Sequence, residues 1–215
     1  MKDVASNPSS IVVRRPTLEE AAGMAECHLD AFPDRPMSLM GPAWLEYLYR
    51  YYMEAASGVS IVAVDGARPV GLAVGGHPDL LAGFRRAATR RFPLALAWRT
   101  LSSPVVRRSV TASVVGRFRP ASTSLPPDEP DRGSLLSICV RRECEGTGVA
   151  ARLLVAFQDA AAAQGFASLR LSVLGDNLRA RRFYERHGWE LRPIEGSTSV
   201  RYLRDLAPPA VGVGV

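Results

Sequence analysis

The chain has 215 residues and a mass of 23.3 kDa, with 47% hydrophobic residues, 22% charged residues and a net charge of +6. Such a chain can bury roughly 70% of its unfolded surface, which excludes wholesale disorder and any need for a metal or disulfide to complete a core. No apolar run approaches ~18 residues and the N-terminus has no apolar signal segment, so neither a transmembrane helix nor a secretory leader is expected, and the expected location is the cytoplasm.

Residues 1–10, rich in Asn, Pro and Ser, read as a flexible tail. Ile11–Arg15 is a short β-branched strand. Thr17 opens a helix with Glu20 at capping-box spacing; Ala21, Met24, Ala25 and His28 share one face, and the helix stops near Phe32 before Pro33. A second helix begins at Gly41-Pro42, with Leu45, Leu48, Tyr49 and Met53 apolar. Ser60–Val64 and Pro69–Gly75 are strands joined by the Asp65-Gly66 turn. From Leu80 to Pro127 there is no Asp or Glu, but there are nine arginines: Arg85, Arg86, Arg90, Arg91, Arg99, Arg107, Arg108, Arg117 and Arg119. Those nine exceed the whole net charge and leave the rest of the chain at −3. This stretch reads as a helix over Asp79–Phe92, two further short helices to about Leu101 and Val115, and a Pro-rich loop over 122–133.

The second half alternates regularly. Ser134–Val140 is a strand and Val149–Gln164 a helix closed by Gly165. Leu169–Val173 is a strand, and a helix runs from Asn177 to His187. Trp189–Arg192 and Thr198–Leu203 are the last strands, and 207–215 is a second flexible tail. The order implies an α/β or α+β sheet with parallel character. Cys27, Cys139 and Cys144 match neither a disulfide framework nor a zinc ligand set, and read as reduced thiols.

Two segments carry chemistry. Strand 134–140 runs into Glu145-Gly146-Thr147-Gly148-Val149-Ala150 and a helix. Glycines there let the backbone approach a ligand, and a helix start offers free N–H groups to an anion such as a pyrophosphate. The spacing fits neither a Walker A loop nor a full dinucleotide-binding fingerprint. Further on, Asn177, Ala180, Phe183 and Tyr184 precede His187-Gly188-Trp189.

Together the two segments resemble the GNAT superfamily of acyl-CoA-dependent N-acyltransferases over residues 134–192. There a strand is followed by Gln/Arg-x-x-Gly-x-Gly/Ala and a helix, then a strand and Asn-x-x-Ala-x-x-Phe-Tyr. The resemblance implies one domain over 11–206 with an insertion at about 80–130. It implies a mixed, mostly antiparallel sheet of about seven strands with a central parallel, splayed pair, flanked by helices, and the insertion is a helical basic one. It implies acetyl-CoA, or a longer acyl-CoA, as co-substrate and no metal. Cofactor-binding positions would be Ile138, Cys139, Val140, Glu145, Gly146, Thr147, Gly148, Val149, Ala150, Ala151, Asn177 and Phe183, with Tyr184 as general acid. Glu145 departs from the family's Gln or Arg; Arg141, Arg142 or Arg152 could supply the missing positive charge. No general base is evident; His77 is one candidate, against an ordinary exposed loop histidine. Direct transfer is expected over an acyl-Cys139 relay.

The expected partner is a small-molecule primary amine, with a protein N-terminus or lysine as the alternative and a non-catalytic acyl-CoA-binding module as a third reading. The basic insertion reads as a solvated face, as a lid selecting an anionic acceptor, or as a contact with an acidic membrane surface. Nucleic acid is disfavoured because aromatic residues are sparse among the arginines. Monomer and homodimer both remain open.

Overall fold

The computed structural model describes residues 10–93, 131–194 and 197–207. The two short helices expected after Pro93, residues 122–130 of the expected Pro-rich loop, and the tails apart from Ser10 and Ala207 lie outside the described residues; Arg132 and Gly133, expected in that loop, already belong to a strand, because they pair with Ser168 and Leu169. Seven strands form one sheet: β1 (Val12–Arg14), β2 (Gly58–Asp65), β3 (Arg68–Gly76), β4 (Arg132–Val140), β5 (Ser168–Leu174), β6 (Glu190–Arg192) and β7 (Ser199–Asp205). Their order is β1-β2-β3-β4-β5-β7-β6, and every neighbouring pair is antiparallel except β4 with β5. Among the described residues five α-helices flank it: α1 (Ala21–Ala31), α2 (Pro42–Glu54), α3 (Asp79–Arg91), α4 (Val149–Ala163) and α5 (Leu178–Arg186). This is the mixed, mostly antiparallel seven-stranded sheet with one central parallel pair that the resemblance implies.

Local chemistry explains the elements. Glu20 accepts from the Thr17 amide at 2.8 Å and from both Arg14 guanidinium nitrogens at 2.8 and 2.7 Å. That closes the helix start, although the first turn, Leu18–Glu20, is a 3₁₀ turn before α1 proper. Gly66 takes φ +59° in the β2–β3 turn, the left-handed region the tight hairpin needs.

The two faces of the sheet carry separate cores. On one, α1, α2 and α3 bury Met24, Leu45, Leu48, Tyr49 and Phe84 against Val62, Leu72, Val74 and Cys139. On the other, α4 buries Leu153, Leu154 and Phe157 against Ile61, Leu135, Leu169 and Leu171, with Tyr184, Trp189 and Tyr202 in the same cluster. α3, the described part of the basic segment, is anchored by Phe84. That ring packs edge-on against Trp44 at 5.3 Å and contacts Tyr47 and Tyr51 at 5.8 Å. The arginines Arg85, Arg86, Arg90 and Arg91 are exposed beside it.

Candidate active site

β4 and β5 pair only at their N-terminal ends, Arg132↔Ser168, Gly133↔Leu169 and Ser134↔Arg170. Beyond Ser134 each strand keeps only its outer antiparallel neighbour, β3 or β7. The registers show why β4 turns away. Val74 faces Ser137 while the next residue, Gly75, faces Leu135, so Leu136 is an extra residue on β4. Such a bulge bends and twists the strand that carries it. The result is a V open toward the C-terminal ends of both strands.

The glycine turn sits at the top of one arm of this V. Gly146 has φ +77° and Gly148 φ +83°, and a Cβ at either would meet nothing within 4 Å. Both glycines are therefore demanded by backbone conformation, and both leave open space beside the first turn of α4. Gly148 is the N-cap, so the amides of Val149, Ala150 and Ala151 begin the helix with no intrahelical acceptors. The Thr147 hydroxyl turns inward and donates to the Cys144 carbonyl at 2.6 Å. An anionic group suits this cradle.

The strand residues divide by face. Ile138 and Val140 pack with the α4-side core, and Cys139 lies in the α1-side core. Cys139 is 6% exposed, and its hydrogen bond with Cys27, followed by burial, pushes the thiol pKa well up. A buried protonated thiol is a poor nucleophile. On the other arm, Asn177 caps α5, its Oδ1 accepting from the Ala180 amide at 3.1 Å. Phe183 is half-buried and packs at a tilt against His187, ring centroids 4.6 Å apart. Tyr184 packs against Trp189 and Tyr202 at 5.7 and 5.9 Å. Burial pushes its phenol pKa well up, so the group is protonated at neutral pH. Among the described residues none hydrogen-bonds that phenol.

The expected compensation for Glu145 is corrected by the structure. The Arg141 side chain is buried and donates to the Pro69 carbonyl at 2.9 Å. Arg142 donates to the Asp30 carbonyl at 3.0 Å and Arg152 to the Ile11 carbonyl at 2.8 Å. It is Arg179, on α5, that meets Glu145, at 2.8 Å. The sequence offers only a spacing of 34 residues between them.

At the base of the V lies a cavity of about 90 Å³ lined by Tyr52, His77, Leu81, Ser134, Leu136 and Arg170, among others. His77 also borders a more open cavity of about 290 Å³ with Gln164 and Phe166. Behind β4 runs a buried polar chain that the sequence did not disclose: Ser137 hydrogen-bonds Tyr49, and the Tyr49 hydroxyl lies 2.6 Å from His28 Nδ1. Only the apolar spacing of His28 and Tyr49 on α1 and α2 hinted at inward positions. Among the described residues no cluster of three or more His, Cys, Asp or Glu is placed to hold a metal. No described helix is long and apolar enough to cross a membrane.

The acetyltransferase (GNAT) family model matches residues 21–189, which span both the V and the glycine turn. The chain belongs to the GNAT acetyltransferase family. Solved structures share the fold of this GNAT acetyltransferase at low identity. SsHAT matches with TM-score 0.65 and 19% identity, covering 92% of this chain and 99% of its own. YncA of Salmonella typhimurium, solved with acetyl-CoA, matches with TM-score 0.58 and 13% identity, covering 94% and 99%. The ribosomal-protein-S18-alanine N-acetyltransferase of Escherichia coli matches with TM-score 0.54 and 12% identity, covering 95% and 98%. No curated protein sequence matches this GNAT acetyltransferase at a significant level.

Proposed function

We propose that the protein transfers an acetyl group from acetyl-CoA directly to the primary amine of a small-molecule acceptor. The observation that carries this reading is the glycine turn at the mouth of the β4–β5 V, in a chain of the GNAT acetyltransferase family. The cradle fits a diphosphate: two left-handed glycines, open space where side chains would stand, and a helix start. The unpaired stretch of β4 fits an extended arm carrying amides, since its backbone groups past Ser134 face no strand on the β5 side. Acetyl-CoA supplies the activated thioester.

The chain's own residues do the rest. Amides from Gly146 to Ala151 bind the diphosphate, and Ile138 and Val140 line the arm. A backbone N–H of β4 polarises the thioester carbonyl and stabilises negative charge on its oxygen. Asn177 holds α5 so that Tyr184 reaches the departing sulfur. Its protonated phenol donates there, and its buried setting keeps the proton in place until it is needed. The acceptor amine enters the small cavity at the base of the V, beside Tyr52, His77 and Ser134. The exposed arginines of α3 stand on the same side and favour an acceptor bearing an anionic group.

The test is a thiol-release assay with acetyl-CoA and a panel of primary amines, alongside calorimetry of acetyl-CoA binding to wild type and Gly148→Trp. The expected result is binding that the Trp ring weakens severely, with turnover on at least one amine. Equal binding by both proteins would reject the cradle. Tight binding with no turnover on any amine would favour a non-catalytic acyl-CoA sensor.

A further inference from the structure

Glu145 and Arg179 stand on opposite lips of the V. Glu145 ends the turn after β4, and Arg179 is the second residue of α5, which follows β5. Their ion pair at 2.8 Å therefore joins the two arms above the point where strand pairing stops. Both side chains are accessible, at 43% for Glu145 and 75% for Arg179, so the pair is solvent-screened and weakly held. Arg179 can exchange partners at small cost.

Several charges of the turn already have partners. Glu143, the other acid of the turn, is matched by Arg68 at 2.7 Å. Arg141, Arg142 and Arg152 are bonded to carbonyls on other elements. Arg179 also sits in the first turn of α5, where the helix dipole disfavours a cation and that turn itself holds no acid. An anion beside that turn makes the position favourable, and Glu145 supplies one at 2.8 Å.

We propose that Arg179 is a diphosphate-binding residue of the cofactor site and that Glu145 parks it there when the site is empty. This inference rests on the proposed acetyl-CoA cradle. The Glu145–Arg179 pair thus substitutes for a single cationic or amide residue at position 145. On binding, Arg179 turns from one carboxylate to the diphosphate, and the repulsion of Glu145 toward that group is the cost the arginine offsets. Arginine suits the exchange because its planar fork binds carboxylate and phosphate oxygens alike.

Calorimetric titration of the full-length chain with CoA and with 3′-dephospho-CoA tests it, using Arg179→Gln, Glu145→Gln, the double variant and Gly148→Trp. One unit charge near a diphosphate in an exposed site changes affinity roughly three- to tenfold. Arg179→Gln should therefore weaken CoA about fivefold, Glu145→Gln should tighten it by a similar factor, and the double variant should return near wild type. The same changes should appear with 3′-dephospho-CoA and shrink in high salt. Wild-type affinity in Arg179→Gln, or a loss that vanishes with 3′-dephospho-CoA, would overturn the assignment. Should Gly148→Trp bind as wild type, the cradle itself fails. Weakened binding in Gly148→Trp with unchanged binding in Arg179→Gln rejects the arginine's role alone.

Discussion

His28 Nδ1 lies 2.6 Å from the Tyr49 hydroxyl, and the other ring nitrogen, Nε2, is buried with no described partner. An orphaned N–H is a costlier burial than an orphaned lone pair in a site that excludes water. The favoured arrangement therefore places the proton on Nδ1, which donates to the Tyr49 hydroxyl. Burial lowers the His28 pKa to about 4. Its folded pKa lies below the unfolded value of ~6.5, so the stability it contributes is present above pH 6.5 and is lost as pH falls toward 4. Urea unfolding should show a loss of about 2 kcal/mol between pH 8 and pH 5 that His28→Gln removes. A pH slope equal in both proteins would place the titrating group elsewhere.

Tyr184→Phe should keep acetyl-CoA binding and lower kcat by about ten- to a thousandfold, the range of general-acid catalysis or just below it. Stability should change little, because no described residue hydrogen-bonds the phenol. With its pKa pushed up by burial, Tyr184 should contribute no basic limb to the rate profile below pH ~10. Steady-state kinetics from pH 6 to 10 with a measured thermal midpoint for each protein checks all three points. An unchanged kcat with chemistry rate-limiting would remove Tyr184 from the mechanism.

Gly75→Ala should destabilise the fold. A Cβ there runs into the Ser134 carbonyl and stands 2.8 Å from the tip of the Phe157 ring. Overpacking of this kind costs about 1–3 kcal/mol. The clash falls where β3 meets the bulged part of β4, so acetyl-CoA affinity should drop along with the thermal midpoint. Gly66→Ala makes the comparison: its Cβ meets nothing within 4 Å, and only its φ of +59° resists. That variant should lose roughly 1 kcal/mol and bind normally.

Replacing Arg85, Arg86, Arg90 and Arg91 with Gln should raise the acceptor KM several-fold. Acetyl-CoA affinity should stay near wild type, because the glycine turn belongs to another element. Added salt should weaken acceptor binding more in wild type than in the variant. Unchanged kinetics with lost binding to anionic liposomes would instead make α3 a membrane-facing surface.

Much of this architecture was legible because local signals agreed with the tertiary result. The Asp65-Gly66 turn, the Asn177 cap and the glycines at 146 and 148 each require a specific backbone state, and the structure has each of them. Apolar spacing placed Ala21, Met24, Ala25 and His28 on one buried face. What escaped depends on distance along the chain. The β4 bulge is a mismatch with β3 and has no signature in 134–140 itself. The partnership of Glu145 with Arg179 arises only once β5 brings α5 beside the turn. Arg141, Arg142 and Arg152 looked like spare cations because their acceptors, the Pro69, Asp30 and Ile11 carbonyls, lie 72 or more residues away in sequence.

The three-rung junction of β4 with β5 has one more consequence. A sheet that parts in its middle has two inner edges besides its two outer ones, and inner edges invite β-augmentation and aggregation as outer ones do. Here the exposed stretches are short, and the bulge twists one of them away from a flat template. On the proposed function, a cofactor arm with its own amides acts as the strand this chain does not encode. Expression and storage with CoA should then suppress self-association through the same surface that performs catalysis.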